Sequence, residues 1–261
     1  MTRQVMVVLV LGSPILPSKN NFVKALRKEH PEITTIVANV NNRNTSMVLG
    51  DKQQILYGKG YIEDVLCGKT FRISSKSFYQ VNPAQMQKLY KKALEYADLK
   101  GDETVLDLYC GVGTIGLFFA DYMRKSGGAG RVIGIESVRE AVIDANRNAV
   151  INGIVNARYV SGLAEEELPK LMRGGDDEGI SVDRADVVIL DPPRAGCHQR
   201  LLEAVCRLAP EKIIYISCDP ATMARDIRYL TNDGYEFCQA TPVDMFPWTG
   251  ATEVVAKLMR R

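Results

Sequence analysis

The sequence predicts a doubly wound α/β domain with a mostly parallel sheet, preceded by a small α/β unit, and three observations carry that expectation. After Gly101, short apolar runs alternate with longer segments of helical spacing. The runs "TVLDLY" (104–109), "RVIGIE" (131–136), "DVVILD" (186–191) and "KIIYIS" (212–217) are apolar almost throughout. Strands of that kind are buried on both faces, as in a parallel sheet covered by helices. The residues at which the runs stop are glycines, acids, prolines and a cysteine, the types that carry chemistry.

The first 74 residues read as the small unit, with a boundary near residue 75. Val5–Leu11 is a strand candidate. The opening "VMVVLVLGSPILP", with Arg3 ahead of it, also has the look of a signal peptide, but strand-like and helix-like segments follow it directly. "NNFVKALRKEH" (20–30) has helical spacing at Phe22, Ala25 and Leu26, and "ITTIVANV" (33–40) is β-branched. "NNRN" (41–44) predicts a hairpin turn before a strand in "TSMVLG" (45–50). Further β-like pieces are "QILYGKGYI" (54–62) and "KTFRIS" (69–74).

In the larger unit, Asn82 is a helix N-cap candidate with Pro83 at the first helical position, ahead of an apolar stripe at Met86, Leu89, Tyr90, Ala93, Leu94 and Ala97. Helices are expected in "REAVIDANRNAVING" (139–153), "QRLLEAVCRLA" (199–209) and "ATMARDIRYL" (221–230). "EFCQATPVDMF" (236–246) and "ATEVVAKLM" (251–259) are β-like and predict an antiparallel edge hairpin.

Composition narrows the class. With 46% apolar and 25% charged residues and a net charge of +2, the 261-residue chain is neither disordered nor strongly acidic. Charge alone leaves nucleic acid open, because a basic face can hide in a near-neutral total. The six cysteines form no Cys-x-x-Cys pair, and two histidines give no zinc spacing, so reduced thiols and no metal are expected. No apolar run approaches the ~20 residues of a membrane span. A cytoplasmic monomer is expected.

"VLDLYCGVGTIGLFFA" (105–120) puts Asp107 and a glycine turn at the end of the first buried strand. Gly111, Gly113 and Gly116 satisfy the dinucleotide spacing, so a nicotinamide cofactor stays open, as does a purely structural turn. Two features favour S-adenosyl-L-methionine. An acid such as Asp107 suits a cationic sulfonium or amino group better than a pyrophosphate, and "DPPR" at the end of a later strand belongs with methyl transfer. Glu136, ending the second buried strand, is suited to accept hydrogen bonds from a ribose.

"DPPRAG" (191–196) places Asp191 at a strand exit stiffened by prolines, with Arg194 beside it; a rigid turn is the plain alternative. Cys218 ends the next buried strand. A buried cysteine is usually a small apolar residue, but carboxyl ends of such strands are where these sheets bind ligands. A thiolate there suits methylation at carbon 5 of a pyrimidine: addition at carbon 6 makes carbon 5 nucleophilic, and a base must then remove the carbon-5 proton. Glu253, in "FPWTGATEVV" (246–255), is the candidate base, an exposed strand glutamate being the alternative.

These residues resemble the RNA uridine carbon-5 methyltransferases, which make 5-methyluridine in tRNA and in large ribosomal RNA. "KSFYQVNPAQ", "VLDLYCGVGTIG", "VIGIE", "ILDPPRAG", "ISCDPATMARD" and "FPWTGATEVV" occur in family order, and the likeness covers essentially the whole chain. The resemblance implies a Rossmann-like class I S-adenosyl-L-methionine-dependent methyltransferase domain over 75–261 and a middle-type domain over 1–74. It implies Gln80, Tyr109, Gly111, Gly113, Thr114, Glu136 and Asp191 around cofactor and uracil, Cys218 as nucleophile and Glu253 as base. The implied partner is RNA, with 23S rRNA the expected target. The target base must be unstacked or flipped, and Phe78 or Tyr79 is a candidate stacking face. Lysines and arginines in 19–28 and 88–92 either track phosphates or are solvated helix faces.

Four departures from the family pattern stand out. An oligonucleotide-binding barrel, the TRAM domain, usually precedes the matched segment, so a fragment or a shortened form is expected here. Thr114 stands where Asn is common. Trp248 and Ala251 replace two histidines before Glu253, and Leu163 replaces a polar residue expected near the adenine. The rival readings are a non-catalytic RNA- or cofactor-binding fragment and a methyltransferase for another acceptor, for which no nucleophilic cysteine is needed.

Overall fold

The structure, a computed structural model, describes residues 2–43, 48–175 and 179–261. The chain divides into two compact units, Met1–Phe78 and Tyr79–Arg261.

In the smaller unit β1 (Val5–Leu11), α1 (Lys19–Glu29) and β2 (Ile33–Val40) form a parallel crossover, and β3 (Lys52–Tyr57) adds antiparallel to β2. β4 (Tyr61–Leu66) and β5 (Lys69–Ser74) make a separate hairpin. Cys67 and Gly68 have φ of 51° and 73°, the two left-handed positions of a tight hairpin turn matching strand twist. The hairpin expected at 41–44 and the strand at 45–50 lie partly outside the described residues, and 48–50 is not a strand. There the buried Asn39 side chain takes over the backbone of Gly50, donating to its carbonyl at 2.9 Å and accepting from its N–H at 2.7 Å. Those bonds stand in for strand pairing, so β3 begins only at Lys52.

The larger unit contains a seven-stranded sheet in the order β11-β12-β10-β9-β6-β7-β8. The parallel strands are β6 (Thr104–Leu108), β7 (Arg131–Glu136), β8 (Ala157–Ser161), β9 (Val187–Leu190) and β10 (Lys212–Ser217). β11 (Tyr235–Val243) and β12 (Glu253–Arg260) complete it. The helices are α2 (Pro83–Ala97), α3 (Thr114–Lys125), α4 (Arg139–Ile151), α5 (Ala164–Met172), α6 (Gln199–Leu208) and α7 (Pro220–Asn232). Leu106, Ile133, Leu190 and Tyr215 pack with Leu168 and Leu202 in one core on the α5–α7 face. Successive strand residues alternate faces, so Asp107 points the other way, to α3. Among the described residues no helix is long and apolar enough to cross a membrane.

Asn82 caps α2 as expected, its side chain accepting from the Gln85 N–H at 3.2 Å. The stripe is shifted: Tyr96 is buried and Leu94 is not, because the Tyr96 hydroxyl meets Thr241 Oγ1 on β11 at 2.5 Å. The expected antiparallel edge hairpin forms, with β11 as one edge of the sheet and β12 beside it, paired antiparallel to both β11 and β10. The β12 run "EVVA" is buried at every position, which an edge strand does not require.

Candidate active site

The carboxyl end of β6 leads into a turn built from backbone bonds. Tyr109, in the left-handed region at φ 66°, redirects the chain while Tyr109 N–H and Cys110 N–H both donate to the Ile135 carbonyl. The Gly111 N–H then donates to Glu136 Oε2 at 3.0 Å, and Glu136 Oε1 accepts from Val138 N–H at 2.8 Å and from the exposed Ser137 hydroxyl. One carboxylate thus ties the glycine turn to the start of α4. A carboxylate offers about four acceptor positions, so one stays free for a ribose hydroxyl and a second is released when Ser137 rotates.

A Cβ on Gly111 would meet nothing within 4 Å, leaving open space above the turn. Gly113 differs: at φ 79° its added Cβ would stand 2.7 Å from the Tyr159 ring. Its close approach is to a β8 side chain rather than to a ligand. Thr114 opens α3, and its hydroxyl bonds the Tyr90 hydroxyl at 2.6 Å, fastening α3 to α2. Asp107 lies inside β6 rather than at its end and is fully buried; Oδ2 accepts from the Gly116 N–H at 2.8 Å and Oδ1 has no partner. Burial, opposed by that bond and reinforced by Glu136, pushes its carboxyl up to about 7. The Tyr109 side chain turns to the α5–α7 core, where its hydroxyl interacts with Cys197 and the His198 backbone.

Gln80 precedes α2 and buries its side-chain oxygen with no hydrogen-bond partner. The adjacent Asn82 donates to the Met245 carbonyl at 3.1 Å, so this segment is tied to the connection between β11 and β12. An orphaned Gln80 oxygen, an orphaned Asp107 oxygen, open space over Gly111 and a free acceptor on Glu136 fit a polar ligand such as S-adenosyl-L-methionine.

The second cluster lies along β9, β10 and β12. The Asp191 N–H donates to the Leu108 carbonyl at 3.3 Å, which seats the "DPPR" turn beside β6. Asp219 and Pro220 start α7: the Asp219 carboxylate accepts from Ala221 and Thr222 N–H at 3.0 and 3.1 Å, with proline where a helix needs no donor. Cys218 is therefore the residue between strand and helix, half-buried. Ser217 pairs with Val254, so the next step of the antiparallel ladder brings Cys218 opposite Glu253. Burial and then the Glu253 charge push the Cys218 thiol up, while a hydrogen bond from Arg194 pulls it down. Glu253 is 3% exposed, and burial raises its carboxyl against the pull of Arg194. Asp191 is raised well above the carboxylate range by burial, with Glu253 and Asp107 adding to it. Asp191, Cys218, Glu253 and Arg194 therefore form one electrostatic group.

A supporting set escaped the sequence reading. The buried Asp226 on α7 accepts from Cys197 N–H at 2.7 Å, from the Tyr215 hydroxyl at 2.6 Å and from Arg225 Nε at 2.8 Å. Arg225 also donates to the Ala195 carbonyl at 3.0 Å, and the Thr222 hydroxyl donates to that of Arg194 at 3.0 Å. The only sequence signal is the spacing of Thr222, Arg225 and Asp226, which puts them on one helix face.

The doubly wound sheet, with a glycine turn after β6 and an acid ending β7, is that of a Rossmann-like S-adenosylmethionine-dependent methyltransferase domain. The chain belongs to the tRNA (uracil-5-)-methyltransferase family, whose model matches residues 23–261. It is 45% identical over 259 residues to an uncharacterized RNA methyltransferase of Caldanaerobacter subterraneus, covering 99% of this chain and 54% of that protein. A second uncharacterized RNA methyltransferase, from Halalkalibacterium halodurans, is 45% identical over 257 residues, covering 98% and 53%. Among solved structures, the Pyrococcus abyssi tRNA (uracil-54, C5)-methyltransferase in complex with S-adenosyl-L-homocysteine aligns with TM-score 0.73 and 32% identity over 98% of this chain and 56% of that one. The chain spans about half the length of the curated relatives it matches.

Proposed function

We propose that this protein transfers a methyl group from S-adenosyl-L-methionine to carbon 5 of a uridine in RNA through a covalent adduct with Cys218. The observation that carries the proposal is the alignment of Cys218, one residue past β10, with Glu253 at the start of the antiparallel β12, beside the Arg194 guanidinium. S-adenosyl-L-methionine supplies an electrophilic methyl group on its sulfonium. Gln80, Gly111 and Glu136 are the residues proposed to hold it, while Gly113, packed on Tyr159, and Tyr109 and Thr114, through their bonds to the His198 backbone and Tyr90, shape the walls.

The Arg194 guanidinium favours the Cys218 thiolate, which adds to carbon 6 of the flipped base and raises electron density at carbon 5. Burial and its carboxylate neighbours favour the neutral form of Asp191, which donates a hydrogen bond to the base oxygen that gains charge in the adduct. Once carbon 5 carries the methyl group, Glu253 takes its proton, the S–C6 bond breaks and the thiolate is regenerated.

Large-subunit (23S) ribosomal RNA is the expected target, bound by a monomer. A tRNA target is the second reading, favoured by the 32% identity to the Pyrococcus abyssi enzyme, a tRNA (uracil-54, C5)-methyltransferase. Nuclease digestion of product from each RNA, analysed for 5-methyluridine, tests both. Absence of 5-methyluridine from both RNAs, with retained cofactor binding by calorimetry, would favour the non-catalytic reading. Cys218→Ala is expected to abolish product and adduct together.

A further inference from the structure

We propose that Trp248 is a stacking platform for an unpaired RNA base flanking the target uridine. This rests on the RNA reading above. Trp248 is the chain's single tryptophan, and its indole is fully exposed. It sits in the connection between β11 and β12, at the third position of the turn "FPWT". The turn is closed by Thr249, whose N–H and hydroxyl donate to the Phe246 carbonyl at 3.2 and 2.7 Å. The Ala251 N–H donates back to the Thr249 hydroxyl at 3.2 Å.

Proline at the second position and positive φ at the third are the marks of a type II turn, whose third residue is ordinarily glycine or asparagine. Trp248 occupies that position at φ 69°. A bulky aromatic residue is therefore held in left-handed backbone that disfavours it, with its ring presented to solvent. Packing does not explain the residue, since the ring covers nothing. A binding role does.

Both ends of the connection are fixed at the site. Met245 is buried and its carbonyl is bonded to Asn82 beside Gln80, while Glu253 begins β12 opposite Cys218. Five residues of chain span at most roughly 17 Å, so Trp248 stands within reach of nucleotides adjoining the flipped base. The chemistry of the partner follows from the surface. The chain neighbours of the indole, Pro247, Thr249 and Gly250, are exposed and none is a large apolar side chain of the kind a protein interface or a membrane surface gathers. A lone flat π-face suits a nucleobase, which every unpaired nucleotide offers.

The test uses the Cys218→Ala protein, so that adduct formation does not contribute. Titration with in vitro transcribed tRNA and with a large-subunit rRNA fragment is expected to quench the single tryptophan's fluorescence in a saturable way with at least one RNA. In the same background, Trp248→Gly is expected to weaken the dissociation constant for that labelled RNA about tenfold. Its thermal stability should be equal or higher, because glycine relieves the turn; Trp248→Phe should recover most of the affinity. No quenching by either RNA, or an affinity within twofold in Trp248→Gly, overturns the proposal. Product analysis of the unmodified protein separates the two readings. Quenching without 5-methyluridine sinks the catalytic reading alone, and 5-methyluridine without quenching sinks this one alone.

Discussion

The hydroxyl of Tyr215 on β10 donates to Asp226 on α7 at 2.6 Å, beneath the junction where Cys218 stands. The same carboxylate grips Cys197 and Arg225, and Thr222 and Arg225 hold the carbonyls of Arg194 and Ala195. The "DPPR" loop is thus fastened to the helix that follows Cys218. Asp226→Asn is expected to reduce unfolding free energy by about 3 kcal/mol, since it leaves buried donors and a guanidinium without their anion. Tyr215→Phe should be milder, at about 2 kcal/mol. Urea denaturation of both variants measures this, and equal stability to the parent would mean the network is only incidental.

Arg194 opposes the burial and the Glu253 charge that hold the Cys218 thiol up. Removing the guanidinium in Arg194→Met therefore raises the thiol further, and less thiolate is present at any given pH. Site-resolved alkylation of Cys218, followed by mass spectrometry against pH, should show its rising limb displaced upward. A limb that stays in place would remove Arg194 as the thiolate's partner.

Glu253→Gln keeps the size of the side chain but cannot take a proton. Methyl transfer should still occur, and release should stall, with turnover reduced at least ~100-fold. The expected sign is a protein–RNA species that survives denaturing electrophoresis and contains the methyl label. Normal turnover would require another base.

Asp107 gives a pH dependence of stability. Its carboxyl rises from 3.8 to about 7 on folding, so between those values the folded state holds a proton that the unfolded state has lost. Its contribution to stability is greatest below pH 4 and falls as pH rises towards 7, by on the order of 4 kcal/mol in all. Asp107→Asn should flatten this part of the profile. Parallel slopes for the two proteins between pH 5 and 7.5 would contradict the assignment.

The strands Arg131–Glu136 and Lys212–Ser217 were legible residue for residue, because a doubly buried strand writes itself as an apolar run with polar ends. β8 and α5 were not. "ARYVS" is short and exposes Arg158, and α5 carries consecutive glutamates and Pro169 within its length. The convergence of Asp191 and Cys218 on one sheet edge follows from strand polarity. The positions of Asp107 and Thr114 do not: each hydrogen-bonds a helix partner, Gly116 or Tyr90, and no local pattern names that partner. The Asp226 network is invisible for the same reason, since Asp226 reaches Cys197 across 29 residues.

The inner position of β12 has a consequence for how this scaffold can change. The spacing of Cys218 and Glu253 is set by a backbone ladder between β10 and β12, six registered pairs long, and not by the nine residues 244–252 that lead into it. Beyond the buried Met245, whose carbonyl stays bonded to Asn82, that lead-in can be lengthened, shortened or rewritten while Cys218 and Glu253 keep their alignment. The turn at 246–251 and the Cys218–Glu253 alignment are therefore separately adjustable in this domain, and grafting that turn between relatives changes the surface around Trp248 without moving the pair.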